Sequence, residues 1–78
     1  MIVHVPHTGP FMSGTGKGSF WEVITDSVDP ASDGTLRGQI WEIGGNLKVC
    51  DFWTIPGDKK TVFIKDDMLR TRKGAIIS

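Results

Sequence analysis

The sequence predicts a small all-β domain, a five- to six-stranded, partly open barrel of SH3-like or OB-like size, with at most one short helical turn near the C-terminus. Short runs rich in Val, Ile, Phe, Trp and Thr alternate with clusters of Gly, Pro, Asn and Asp, which is the pattern of strands and turns. No window repeats apolar residues at i, i+3, i+4 and i+7 over three turns, so helix is a minor element.

The strands are expected in chain order, separated by turn signals. The Gly-Gly-Asn segment at 44–46 is the strongest hairpin signal, and the Pro-Gly pair in "IPGDK" predicts a type II turn. "DDMLRTRKG" is predicted to form one helical turn capped by Asp66 or Asp67, whose side-chain oxygen would accept free N–H groups. The predicted strands are "MIVHV", "SFWEVITDS", "TLRGQIWEI", "LKVCDFWTI" and "TVFIK", with "AIIS" as a short edge strand.

The length of 78 residues predicts one domain, 1–78, with a glycine-rich loop at 6–18 and a basic segment at 59–78. A domain of this size has a thin core and often gains support from a disulfide, a metal or oligomerisation. The single Cys50 excludes an intramolecular disulfide, and with two histidines a structural zinc is not expected. Self-association is the remaining source of support.

Charge and apolar patterning set the expected environment. Nine basic and nine acidic side chains cancel, which counts against a general nucleic-acid binder, although 59–78 carries six basic against two acidic side chains, a net +4. No stretch reaches the roughly 18 apolar residues of a membrane span, and the N-terminus lacks a signal-peptide pattern. A lone cysteine in an apolar run fits a reducing compartment, so a cytoplasmic location without a membrane partner is expected.

The opening loop, "GPFMSGTGKGSF", does not match a phosphate-binding loop. Gly18 follows Lys17 where Ser or Thr is required, Phe11 stands at the first glycine position, and a strand rather than a helix follows. A loop of this length is nonetheless often functional. The segment is therefore expected to be a connector anchored by Phe11 and Met12, with a binding lip formed by these two residues and Lys17 as the alternative.

No pattern supports metal binding or catalysis. His4 and His7 lack a second close pair of ligands, and the spacing of the three aspartates at 26, 29 and 33 does not match a calcium loop. Cys50 lies within a predicted strand without an adjacent histidine, so a structural thiol is expected. We expect no cofactor and no metal, and the sequence leans against an enzyme, with a small-ligand site or an enzyme assembled between subunits as the remaining alternative.

The register of the central hairpin decides which face is exposed, because a slip of one residue exchanges the two faces. A two-residue Gly44-Gly45 turn is favoured, since it collects an apolar face containing Leu36, Ile40 and Val49. A three-residue loop that also includes Asn46 is the alternative. In the favoured register, the opposite face carries Arg37, Gln39, Trp41, Ile43, Lys48, Cys50 and Phe52.

This second face is the predicted binding surface, because its aromatic rings offer contact area and its cations flank them. Its binding residues are expected to be Trp41, Phe52, Arg37, Lys48 and Gln39. A second copy of the chain or another protein is the leading partner, and single-stranded nucleic acid stacking on the same aromatics is the alternative. In the nucleic-acid case the phosphate contacts would be Lys59, Lys60, Arg70, Arg72 and Lys73.

Overall fold

Seven strands and one 3-10 turn form the fold in a computed structural model, which describes residues 1–6, 18–45 and 49–78. The 3-10 turn, Thr25–Ser27, is the helical element of these ranges, and no helix in them has the length and apolarity to cross a bilayer. The strands are β1 (Ile2–Val5), β2 (Ser19–Val23), β3 (Asp29–Pro30), β4 (Leu36–Glu42), β5 (Val49–Trp53), β6 (Thr61–Lys65) and β7 (Thr71–Ile76).

The strands close into an antiparallel barrel. β4 to β7 form a meander, β1 and β2 form a hairpin, and the two units join where β1 pairs with β7 and β2 pairs with β4. The short β3 adds to β4 outside the six-stranded ring. The predicted all-β barrel is confirmed, and it is closed rather than partly open, so each barrel strand has a neighbour on both sides.

Alternating burial along the strands places the core inside the barrel. β2 and β6 alternate between buried and more exposed side chains, as strands with one wet face do. Trp21 is buried, and its indole Nε1 donates a hydrogen bond to Ser19 Oγ at 2.8 Å, which satisfies the ring's polar atom. The core consists of Val3, Val5, Trp21, Val23, Ile40, Cys50, Phe52, Val62 and Ile64.

The central hairpin adopts the alternative register. Arg37 pairs with Trp53 and Ile40 pairs with Cys50, one residue away from the favoured prediction, which was wrong. This register turns Phe52 into the barrel opposite Gly38, where a Cβ would lie 3.0 Å from the Phe52 ring. A glycine on the facing strand thus leaves room for the largest fully buried side chain of the core.

The C-terminal segment is a strand rather than a helical turn followed by an edge strand. β7 begins inside the predicted helical segment, takes up its residues 71–74, and lies between β1 and β6. The proposed cap, Asp66, does accept backbone N–H groups, those of Met68 and Arg70 at 3.0 and 2.9 Å, but it does so in a tight turn between two strands. The predicted Pro-Gly turn is confirmed, with Gly57 at φ 82° and Asp58 N–H donating to Ile55 O at 3.3 Å.

Candidate binding surfaces

The predicted binding face is divided by the observed register. Arg37, Gln39 and Trp41 lie on the outside of β4, with Arg37 and Gln39 exposed and Trp41 half-buried. Phe52, only 1% exposed, lies in the core, so the expectation that it shares an outer face with Trp41 was wrong. Lys48 lies outside the described residues. The structure therefore keeps three of the five predicted binding residues on one outer face.

A different aromatic pair occupies the middle of that outer face. Trp53 on β5 and Phe63 on β6 are register partners, and their half-buried rings lie with centroids 5.9 Å apart and planes inclined by 17°. Arg37 pairs with Trp53 from β4, and Lys73 pairs with Phe63 from β7. We name these four residues the aromatic–cation row. The one-residue error in register concealed it, since it assigned Trp53 to the opposite face.

A groove opens beside the aromatic–cation row. The 3-10 turn interrupts the line of β2 and β3 along β4, and Ser27 Oγ bridges the gap by accepting from Gln39 N–H at 2.8 Å and donating to Ile24 O at 2.6 Å. The outer face of the β4–β5 hairpin forms the other side of the groove. The groove holds about 500 Å³, and its lining includes Asp29, Arg37, Gln39, Asp51, Trp53 and Lys65.

Apolar side chains are exposed at the end of the barrel where β4 meets β5 and β6 meets β7. Ile43 N–H donates to Phe20 O at 2.8 Å, and Trp41 pairs with Val49, which is 52% exposed. Val49 and Leu69 line one shallow pocket together with the charged residues Asp51, Lys65, Asp66 and Asp67. We name this surface the apolar rim, which comprises Phe20, Trp41, Ile43, Val49, Met68 and Leu69.

The β6–β7 turn holds its two apolar side chains away from the barrel. Met68 and Leu69 are 69% and 74% exposed, and Leu69 adopts φ 60°, a left-handed conformation that a leucine rarely adopts. Asp66 braces the turn through its backbone N–H bonds and an Arg70 ion pair, with Nε 3.3 Å from Oδ2. The hydrogen bond from the Arg70 N–H is the largest cause of a lowered pKa at Asp66.

The five predicted phosphate contacts do not form one patch. Lys73 belongs to the aromatic–cation row, whereas Arg70 pairs with Asp66. Arg72 is half-buried, and its guanidinium carbon lies 5.7 Å from the centre of the Trp21 ring, so it covers the core by a cation–π contact. The remaining two, Lys59 and Lys60, are exposed in the β5–β6 connection.

The remaining sequence predictions concern the opening loop, a metal site and Cys50. The predicted lip residues Phe11, Met12 and Lys17 lie outside the described residues, as does His7. Within the described ranges, no group of three or more His, Cys, Asp or Glu side chains is placed to hold a metal ion. Cys50 is a free, buried thiol, and its removal from water raises its pKa, so it is held in the unreactive protonated form.

Comparison with known proteins adds no functional assignment. The chain matches no protein-family model, and searches of the curated proteins and of the solved structures found no significant match. Function is therefore inferred from the two outer surfaces, the aromatic–cation row with its groove and the apolar rim.

Proposed function

We propose that this chain is a non-catalytic β-barrel binding module that associates with a second copy of itself through the outer face of the β4–β5 hairpin, at the apolar rim. The observation that carries the proposal is the clustering of exposed apolar side chains at one end of the barrel. Trp41 and Val49 are register partners, Ile43 adjoins Phe20, and Leu69 shares a pocket with Val49. Exposed apolar side chains clustered in this way are typical of protein contact surfaces.

The geometry of the β6–β7 turn supports the same use of the rim. A left-handed conformation at a residue other than glycine costs on the order of 1 kcal/mol or more and persists where the surrounding structure enforces it. Here the Asp66 hydrogen bonds enforce it, and the result is two exposed apolar side chains at the tip of the turn. Burial of Met68 and Leu69 against a partner would use that fixed arrangement.

Charge and size favour a second copy as the partner. The formal net charge is zero, so two copies carry no overall electrostatic repulsion. A 78-residue domain buries only about 60% of its unfolded surface, and association extends a thin core at no cost in chain length. A symmetric pair places the same surface of both copies in contact, which lets the two rims cover each other.

Light scattering on a size-exclusion column over a range of concentrations tests this proposal. The wild-type chain is expected to show a mass near twice its 8.6 kDa, and Val49→Lys is expected to return it to the monomer by placing a charge in the contact. Ile55→Lys is the matched control, because Ile55 is also exposed, at 41%, but lies in the β5–β6 connection outside the rim. A monomer at all concentrations contradicts self-association, and an equal effect of the two variants contradicts the rim as its site.

A further inference from the structure

We infer that the aromatic–cation row and the adjoining groove form a binding site for single-stranded nucleic acid, separate from the apolar rim. The site is an outer sheet surface with two half-buried, mutually stacked rings at its centre and a cation at each end. Sequence-tolerant binding of single strands combines these two elements, since every base has a face that stacks on an aromatic ring and every nucleotide carries a phosphate.

The rings are fixed before any ligand arrives. Trp53 and Phe63 lie on neighbouring strands of a closed sheet, and their ring centroids are 5.9 Å apart. The side-chain freedom of both residues is therefore already restricted in the free protein. A base that packs against Trp53 therefore orders few protein groups on binding. Preorganisation of this kind increases affinity because the loss of side-chain entropy has occurred during folding.

The cations of the site have weak electrostatic interactions, since Arg37 is a minor cause of the lowered pKa of Asp33 and Lys73 of that of Asp58. Within the described ranges, no ion pair holds Arg37, Lys65 or Lys73, whereas Arg70 and Arg72 are engaged elsewhere. With neighbouring strands about 4.8 Å apart, the row from Arg37 on β4 to Lys73 on β7 spans about 14 Å across the sheet. The cations thus lie on either side of the rings, where they can contact the phosphates of a nucleic-acid strand that passes over the rings.

The groove suits a base rather than a phosphate. Trp53 lines it, and its volume of about 500 Å³ accommodates a planar ring beside the indole. Asp29 and Asp51 add two carboxylates, which repel phosphate but accept hydrogen bonds from the amino and imino groups of bases. Arg37 and Lys65 line the same groove, so a phosphate attached to the bound base has cations within reach.

Fluorescence anisotropy with a labelled oligothymidylate of about ten nucleotides tests the site. Binding by the intact chain is expected at about 0.02 M salt and is expected to weaken strongly at about 0.2 M, as released counterions require. Trp53→Leu is expected to weaken binding about 5- to 100-fold, the range for losing one stacked base. Arg37→Gln is expected to reduce the slope of log affinity against log salt by about 0.7, the loss of one phosphate contact.

Two matched controls lie outside the site. Arg70→Gln removes a cation from the β6–β7 turn, and Lys59→Gln removes an exposed cation from the β5–β6 connection, so both are expected to bind as the wild type does. Far-ultraviolet circular dichroism checks the folding of each variant, and Phe63→Leu replaces Trp53→Leu if the latter unfolds. No binding at low salt overturns the inference, and so does equal weakening by the site and control variants.

The result is independent of self-association, because the rim and the row share no residue. Light scattering of the same samples shows whether the oligomeric state changes with each variant. A chain that forms dimers but binds no oligonucleotide overturns this inference alone. A monomer that binds the oligonucleotide through Trp53 supports it and contradicts only the role assigned to the rim.

Discussion

Three aspartates, Asp33, Asp58 and Asp66, begin tight turns in the same way. Each carboxylate accepts N–H groups from residues two to four positions further along the chain. Hydrogen bonds to these carboxylates favour the charged form and lower the pKa of all three groups. The largest cause is the hydrogen bond from the Thr35 hydroxyl at Asp33, from the Thr61 hydroxyl at Asp58 and from the Arg70 backbone N–H at Asp66. The turns of this barrel are thus tied to the ionisation of exposed carboxylates.

The sign of the pH dependence follows from the direction of these shifts. Because the folded pKa lies below the unfolded value of about 3.9, the stabilisation is present at pH values above that and is lost as the pH falls through the folded pKa. We therefore expect the melting temperature of the wild type to fall at pH values below about 4, in part because the turns lose these ionised acceptors.

Asp58→Asn tests this linkage at one turn. The amide keeps an acceptor oxygen but removes the charge, so the variant is expected to melt below the wild type at neutral pH. The difference in melting temperature is expected to shrink as the pH falls through the folded pKa of Asp58, where the wild type also becomes neutral. Thermal unfolding followed from about pH 7 to about pH 2.5 measures it. A difference that stays constant over the whole range contradicts the role of ionisation.

At the β6–β7 turn, the sequence predicts the role of Asp66 as an acceptor but not the backbone conformation of Leu69. Asp66, one of the two predicted caps, does accept N–H groups, although the predicted helical turn is absent from the described residues, because a short carboxylate side chain reaches nearby N–H groups in a helix cap and in a strand turn alike. The left-handed Leu69 had no signal in the sequence, since leucine is not a residue that favours positive φ. Its conformation depends on the two strands that the turn has to join.

At the level of elements, β7 closes the barrel by approaching β1 closely. Gly74 is buried in β7, and a Cβ there would lie 2.7 Å from Val3 Cγ1 and 2.8 Å from Val5 Cγ2. Both valines are fully packed core residues, so neither side chain can move away without displacing others. A glycine at this position is therefore required by the closure of the sheet rather than by its backbone angles.

Gly74→Ala is expected to lower the free energy of unfolding by about 1 to 3 kcal/mol through overpacking of the core. Urea denaturation followed by tryptophan fluorescence measures the change. Gly45→Ala is the matched control, because its added Cβ would meet only the flexible Glu42 side chain, and a loss below about 0.5 kcal/mol is expected there. Equal losses in the two variants would show that β7 does not pack against β1 as described.

The central hairpin shows why element prediction succeeded and register prediction did not. Both strands were predicted from their composition, and their observed bounds fall within the predicted runs. The two-residue turn was favoured because it gave the hairpin one apolar face by itself. In the barrel, Phe52 also pairs with Ile64 on β6, and Val23 on β2 pairs with Ile40, so the strands on either side decide which hairpin face is buried.

For the whole molecule, the small core makes stability sensitive to a single large side chain. A domain of this length has a stability on the order of 4 to 12 kcal/mol. Phe52→Ala removes the largest fully buried side chain and is expected to cost about 3 to 5 kcal/mol, a quarter or more of that stability. Trp41→Ala removes a half-buried ring from the outer surface and is expected to leave the chain folded.

Circular dichroism and urea denaturation of these two variants distinguish the two hairpin registers in solution. From the observed register, Trp41→Ala is expected to be more stable than Phe52→Ala. The opposite order, with Trp41→Ala unfolded and Phe52→Ala folded, would show that the hairpin buries its other face. The position of the aromatic–cation row would then also change, since Trp53 would lie inside the barrel.

The sequence by itself determined the local features of this protein, namely the all-β class, the principal strands and the Pro-Gly turn, because alternation, β-propensity and turn chemistry act between residues close in the chain. Only the tertiary structure decided the closure of β7 on β1, the hairpin register and therefore which aromatic rings face outward. These features depend on pairings between strands far apart in sequence. A neighbouring strand decides which face of a hairpin buries the larger apolar area. Trp53 and Phe63 became the central outer pair for that reason.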